Sequence, residues 1–256
     1  MSSSRLLFIG WLFQLKMQWR DPFTGIFAVL YPMFFATVAF LMFRIHGGAT
    51  SLLYAALGAG VMGIWACTST TAGSAMQRER WHGTLEVLVA SPSPFALILL
   101  PVTVAMATIG LYSMVATLLW GRLAFGIEFS VVHWPAFLLA VPATVISIGC
   151  AGFLLAVSFV RYRTAWALGN LLEYPVWLIC GFLVPLALLP GWVRPISWIL
   201  APTWGMNAIR QSSLGGTPWP DLALCVALGA LYVAIGILVL ERALTAARAR
   251  AALSLT

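Results

Sequence analysis

Ionisable side chains, which carry most catalytic and binding chemistry, are concentrated in one segment of this sequence, MQRERWHGTLEVLVASPSP at residues 76–94. The sequence contains no G-x-x-x-x-G-K-[ST] phosphate-binding loop, no G-x-S-x-G nucleophile motif and no H-E-x-x-H zinc motif. His46, His82 and His133 have no partner at metal-ligand spacing. We therefore predict no catalytic site and no metal site, and the charged segment requires another explanation.

The charged segment contains residues that end and restart helices. Gly83 favours termination of a helix that runs through QRER. Thr84 can cap a short helix at residues 85–90, and Glu86 falls in its first turn, where the helix dipole favours an anion. The following SPSP ends that helix and places a serine cap and an N1 proline before the next one. We predict a helix–break–short helix–break–helix elbow at residues 77–94.

Two interpretations of this elbow remain open. A solvated turn with basic topology markers accounts for Arg78 and Arg80. A docking surface for a soluble partner also accounts for the acids, the tryptophan and the two helix breaks. That surface would consist of Arg78, Glu79, Arg80, Trp81, His82, Gly83, Thr84, Leu85 and Glu86, with Trp81 and Leu85 as apolar anchors.

The composition around the elbow indicates an integral membrane protein. The chain has 256 residues, of which 62% are hydrophobic and 8% charged. Soluble domains carry about 25% charged residues, so this chain could not cover a globule with solvated groups. Its net charge of +7 does not indicate nucleic-acid binding, because the basic residues are scattered between apolar runs. The four cysteines lie inside apolar runs without C-x-x-C pairing, which is typical of small buried hydrophobes.

Uncharged runs long enough to cross a bilayer predict an all-α membrane fold with six transmembrane helices. The predicted spans are residues 23–43, 52–76, 95–119, 135–159, 165–189 and 221–240. With the N-terminus inside, ten basic residues lie on the cytoplasmic side and four, Arg44, Arg122, Arg194 and Arg210, lie outside. The positive-inside rule therefore predicts a multi-pass cell-membrane protein with both termini, and the elbow, in the cytoplasm.

Two further segments are predicted to lie at the membrane surfaces. On a helical wheel, residues 4–20 gather Arg5, Lys16 and Arg20 on one edge with apolar residues around the rest, which predicts an amphipathic helix in the membrane interface. An extension of the first span is the alternative, although Asp21-Pro22 favours a break. Residues 190–216, which we call the external cap, are apolar, tryptophan-rich and divided by prolines. We predict short re-entrant or interfacial helices there.

Polar groups within the predicted spans are few. The second span is rich in Gly, Ala, Ser and Thr, including Thr68 and Thr71, which indicates either close helix packing or a polar path. Glu173 lies nine residues after Thr164, about 14 Å along a helix and near mid-membrane. Buried membrane acids usually mark function. Two alternatives are a span that begins after Glu173, and an ion pair or an Asn170 contact that only holds helices together.

Two motifs identify a resemblance that covers essentially the whole chain. RERWHGTLEVLVASPSP resembles the cytoplasmic loop of ABC-2 type transporter permeases, which typically reads E-R-E-x-G-T-L-E followed by apolar residues and S-P. CGFLVPLALLPGWVRPISWILAPTWGMNAIRQSSLGG resembles the family's Gly and Pro near the end of the fifth span, then L-P, a short helix, a proline, and an arginine before a glycine. The sequence departs from the family at Trp81-His82, where one residue or none is usual before the glycine.

The resemblance implies that the transport path and the ATPase site are on different chains. Two six-helix permeases, identical or related, would enclose a path, and separate ATPase subunits would bind the elbow as a coupling helix. ATP and Mg would be bound by the partner ATPase, with no cofactor on this chain and no nucleic acid involved. The family places the second and fifth spans near the path. The tentative path residues are Thr68, Thr71, Asn170, Glu173 and Trp177.

The resemblance also implies a substrate class, which is the least determined property. Family members export drugs, lipid-linked polysaccharides and other amphiphiles. The aromatic content and the absence of an added carbohydrate-binding domain favour a hydrophobic drug or natural product over a lipid-linked glycan or a lipid. Two other functions are weighed: an energy-independent or ion-coupled carrier, which usually has more mid-membrane ionisable residues, and a lipid-modifying membrane enzyme, which would need convergent polar residues.

Overall fold

The computed structural model of this chain describes residues 3–19, 22–46, 49–81, 83, 95–129, 131–159 and 165–249. Within these residues the regular structure is entirely helical, in agreement with the predicted all-α class. The described α-helices are α1 (Ser3–Trp19), α2 (Pro22–His46), α3 (Ala49–Trp81), α4 (Ala96–Phe125), α5 (Trp134–Phe159), α6 (Ala165–Ile179), α7 (Val193–Trp198), α8 (Ala201–Leu214) and α9 (Pro218–Ala249).

Helix α3 is the centre of the bundle. It packs against α2, α4, α5, α6 and α8. Most residues of its apolar segment Leu52–Thr70 are buried, whereas most residues of the corresponding segment of α9, Pro218–Arg242, are not. Helix α9 therefore lies on the rim of the bundle, where its exposed apolar side chains suit contact with lipid. Helix α3 lies at the centre, in contact with the five helices named above.

Four described helices are long and apolar enough to cross a membrane. They contain the segments Leu52–Thr70, Ala96–Phe125, Trp134–Ser158 and Pro218–Arg242. Helix α2 contributes a shorter apolar stretch, Pro32–Arg44. Helices α2, α3, α4 and α9 end three to nine residues after the predicted ends of their spans. Uncharged runs mark the hydrocarbon core, whereas a helix can continue into the aqueous region.

The predicted fifth span, residues 165–189, is shorter as a helix than the sequence indicated. Helix α6 has 15 residues and ends at Ile179, about 22 Å from its start. Gly181 then adopts a left-handed φ of +71°. The backbone carbonyls of Gly181 and Phe182 accept hydrogen bonds from a distant arginine. The left-handed Gly181 ends the helix, and the two carbonyls beyond that end bind the arginine.

The external cap contains two short helices, α7 and α8, and α8 runs along the bundle. At one end of α8, the Tyr232 hydroxyl accepts from the Ala201 N–H at 3.0 Å and donates to the Ile199 carbonyl at 2.6 Å. At the other end, the His133 N–H donates to the Ser212 carbonyl at 2.9 Å. Tyr232 lies 14 residues into α9, about 21 Å along that helix. Helix α8 therefore begins deep in the bundle and ends level with the start of α5.

Helix α1 packs against α4. The Trp11 indole N–H donates to the Thr108 hydroxyl at 3.1 Å, and Gly10 lies close to Pro101. The opposite face of α1 is exposed and carries both Arg5 and Lys16. Large apolar side chains flank these two cations, namely Phe8, Ile9, Leu12, Phe13 and Met17. This mixed face has the composition expected of a helix at a lipid interface.

Candidate functional site

Helix α3 carries the first part of the predicted elbow. It continues unbroken through Arg78, Glu79, Arg80 and Trp81, whose side chains lie outside the described set. Gly83 follows with a left-handed φ of +67°, is exposed, and has open space where a Cβ would be. A left-handed glycine just after a helix is a common C-terminal stop.

The second part of the elbow is not described by the structure. His82, Thr84, Leu85 and Glu86 lie outside the described residues, as does the predicted short helix at 85–90. The proposed docking surface as a whole therefore stays a prediction.

Thr68 is packed between helices. Its side chain is fully buried, and its hydroxyl donates to the Ile64 carbonyl of its own helix at 2.8 Å. A Cβ added to Gly152 of α5 would collide with the Thr68 methyl group. Thr68 therefore faces α5 within the subunit. The side chain of Thr71 lies outside the described residues.

Close approach between α3 and α4 uses the small residues of the second span. A Cβ on Gly60 would lie 2.7 Å from Cγ of Met114, and one on Gly63 would overlap the Ser113 hydroxyl. These approaches need glycine, so packing accounts for this part of the small-residue pattern.

The structure brings three of the tentative path residues together on α6. Glu173 is 5% exposed, and its helix packs against α3. Trp177, one turn further along and 4% exposed, stacks edge-on against Phe35 at 5.1 Å between ring centroids. Asn170 is half-buried on the same helix. Glu173 and Trp177 thus lie against the body of the subunit, and the exposed face of α6 is formed by Leu171, Tyr174 and Leu178.

A buried arginine forms a site that was not predicted from the sequence. Nη1 of Arg210 donates to the Tyr54 hydroxyl and to the Gly181 carbonyl, both at 2.7 Å. Nη2 donates to the Phe182 carbonyl at 2.6 Å and, at 3.4 Å, to the Tyr54 carbonyl. The guanidinium carbon lies 3.3 Å above the Tyr54 ring, a cation–π contact. We call Arg210, Tyr54 and the carbonyls of Gly181 and Phe182 the arginine clamp.

The clamp holds a cation with neutral oxygens and one aromatic face. An arginine guanidinium keeps its charge at neutral pH even when it is buried. Gly58 makes the arrangement possible, because a Cβ there would collide with the Phe182 carbonyl and lie 2.7 Å from Nη2. Charge-assisted hydrogen bonds are about twice as strong as neutral ones, so the clamp firmly joins α3, the turn after α6, and α8.

Sequence reasoning counted Arg210 as a marker of the external side rather than as a buried group. Its hydrogen-bond partner Tyr54 is 156 residues away, so no local pattern reveals the contact. Two signals were present. Arg210 follows the buried Ala208 and Ile209, and it is the arginine of the second family-like motif.

Metal and redox chemistry find no support in the described part of the chain. No group of three or more His, Cys, Asp or Glu residues capable of holding a metal ion occurs among those residues. All four cysteines are free thiols, and Cys150, Cys180 and Cys225 are buried. This agrees with their interpretation as small buried hydrophobes.

Comparison with known proteins gives one family. A search of curated proteins finds no match to this chain. The family model for "ABC-2 type transporter" matches residues 5–214, which include most of α1, the elbow, α6 and all but the last two residues of the external cap. The match covers far more than half of the 256 residues. This multi-pass membrane chain therefore belongs to the ABC-2 type transporter family, the membrane components of ATP-binding cassette systems.

Proposed function

We propose that this chain is the permease subunit of an ATP-binding cassette exporter driven by a separate ATPase chain. The observation that carries the proposal is the course of α3. The part of this helix from Tyr54 to Trp81 is about 40 Å long, and the hydrocarbon core is about 30 Å thick. The most buried helix of the bundle thus projects beyond the membrane and delivers the charged elbow to the cytoplasmic side.

The arrangement in the membrane forms part of the same proposal. Six segments cross the bilayer, α2, α3, α4, α5, α6 with the turn that follows it, and α9, and both termini are cytoplasmic. The external cap is re-entrant rather than interfacial. Its support is the pair of hydrogen bonds at Tyr232, which anchor the start of α8 about 21 Å along α9. Two permease copies, or this chain and a related one, form the complete membrane unit, with lipid around the rim.

The substrate is hydrophobic or amphipathic, and a drug or natural product is favoured over a lipid-linked glycan or a lipid. The exposed face of α6 supports this class because Leu171, Tyr174 and Leu178 would offer a largely apolar wall to a central path. The path is also influenced by three residues on the buried side of α6, where this helix contacts α3: Asn170, Glu173 and Trp177. Thr68 and Thr71 belong to the same region on α3.

Co-expression with the ATPase tests the proposal. The neighbouring reading frame is the first place to seek an ATPase with a phosphate-binding loop. Purified complexes carrying Glu79→Ala or Glu86→Ala are expected to insert normally but to lose most of the substrate-stimulated ATPase activity, because the coupling surface has lost an acid. Glu128→Ala is the matched control, since Glu128 is an exposed acid that follows α4 at the opposite end of the bundle.

Two results would contradict this function. Complexes with both elbow substitutions that bind the ATPase and export at the normal rate would exclude docking at the elbow. Vesicles containing the permease alone that accumulate or release substrate at the full rate without ATP would favour an energy-independent or ion-coupled carrier.

A further inference from the structure

We propose that the arginine clamp makes the external cap move with α3, so that displacement at the elbow end of α3 reaches the far side of the bundle. Arg210 is then a positioning residue that transmits movement without touching the substrate. The transmission step rests on the proposed function, whereas the clamping step does not.

Three separate chain segments meet at one guanidinium. Tyr54 belongs to the first part of α3, Gly181 and Phe182 form the turn after α6, and Arg210 belongs to α8. The two terminal nitrogens together make four hydrogen bonds to these partners. The planar guanidinium group fixes both the direction and the distance of its hydrogen-bond partners, whereas a lysine ammonium group does not fix the direction.

Helix α3 is suited to carry a displacement over its whole length. It has no proline between Ala49 and Trp81, whereas α2, α4, α5 and α6 contain Pro32, Pro101, Pro142 and Pro175. Internal prolines remove a helix hydrogen bond and introduce kinks. Helix α3, like α9, therefore connects the two ends of the bundle without an internal proline kink.

The clamp is the polar connection between α3 and the cap. Helix α8 otherwise packs mainly against α5 and α9, and Tyr232 of α9 fixes its beginning. Near its other end, Arg210 holds α8 to α3 and to the turn after α6. When α3 shifts, the clamp pulls on α8 and on that turn together. If the clamp were absent, α3 could move while the cap stayed with α5 and α9.

A native thiol reports whether the clamp is closed. Cys180 directly precedes Gly181, is a free thiol, and is 1% exposed. Release of the two carbonyls would loosen this turn and admit reagent to the sulfur. The permease alone, in lipid nanodiscs, is treated with a membrane-impermeant maleimide, and the labelling of Cys180 is followed by peptide mass spectrometry. Cys180→Ser identifies the signal.

The variants form a graded series. Arg210→Met is expected to speed Cys180 labelling about tenfold or more, because the charge-assisted hydrogen bonds that resist local opening are lost. Arg210→Lys and Tyr54→Phe are expected to give intermediate rates, since each keeps part of the clamp. Arg194→Met is the matched control, because Arg194 is an exposed arginine of the same cap, and its labelling rate should equal that of the wild type.

A second measurement separates transmission from support of the fold. In complexes with the ATPase, Arg210→Lys is expected to keep elbow docking and basal ATP hydrolysis while export falls at least severalfold. A purely structural role would instead lower assembly, hydrolysis and export together.

Each outcome decides one step. A folded Arg210→Met permease whose Cys180 stays as protected as in the wild type would overturn the clamp itself. Should Arg210→Met fail to insert, Arg210→Lys and Tyr54→Phe make the same comparison, and wild-type labelling rates in both would overturn it equally. Faster labelling with fully coupled export would overturn transmission alone. If no ATPase binds the chain, the proposed function fails, but the labelling result still stands.

Discussion

Replacing Gly58 with alanine tests one of the closest helix approaches among the described residues. The added methyl group would collide with the Phe182 carbonyl oxygen and lie 2.7 Å from Nη2 of Arg210. Overpacking a core costs about 1–3 kcal/mol, and a weakened hydrogen bond from a charged donor costs about 1.5–3 kcal/mol. Alanine recovers about 0.5–1 kcal/mol of helix propensity. We therefore expect Gly58→Ala to lower the free energy of unfolding by about 2–5 kcal/mol.

The assay is unfolding of the purified permease in mixed micelles, by titration of dodecyl maltoside with SDS and detection by circular dichroism. Gly191→Ala is the matched control, because a Cβ at Gly191 meets no atom within 4 Å. It should change the free energy of unfolding by less than about 1 kcal/mol. Equal unfolding curves for the two variants would refute the reasoning, since they would show that α3 does not approach the Phe182 carbonyl as closely as described.

Two further substitutions address the cap and the acid of α6. Tyr232→Phe leaves the Ala201 N–H without its acceptor and the Ile199 carbonyl without its donor, so the free energy of unfolding should fall by about 1–3 kcal/mol in the same assay; an unchanged value would mean that α8 does not start beside Tyr232. Glu173→Gln keeps the side-chain shape but removes the charge, and export should fall at least severalfold while assembly and ATPase binding persist. Export at the wild-type rate would exclude a functional role for that carboxylate.

The long helices could be predicted from the sequence because their signal is local. Helices α4, α5 and α9 are continuous apolar runs, and their lengths follow from the bilayer thickness. The end of α6 could not be predicted from hydropathy. Residues 165–189 carry no charge apart from Glu173, but the helix stops at Ile179, just before the left-handed Gly181. The carbonyls beyond this end bind Arg210, which lies 28 residues after Phe182, and no hydropathy pattern reveals such a distant partner.

The same distinction between local signals and distant contacts applies to the candidate site. Gly83 could be predicted as a helix stop because glycine tolerates the left-handed conformation that the structure shows there. Thr68 and Glu173 could be placed within spans, but not assigned to a face, because the direction of a side chain depends on which helices pack around it. The burial of Arg210 was not predicted, for a general reason. Counting positive charges assumes that each lies in water, and a cation held by carbonyls and an aromatic ring violates that assumption.

The position of Tyr232 has a consequence for biosynthesis. The chain is made from its N-terminus, so the turn at Gly181 and Phe182 is complete before Arg210 is added, and α8 is complete before α9. The start of α8 acquires its hydrogen bonds only when Tyr232, 31 residues after Ala201, has been synthesised. A nascent chain that stops before α9 therefore leaves the Ala201 N–H and the Ile199 carbonyl without these partners. Closure of the cap is thus completed only after α9 has been synthesised.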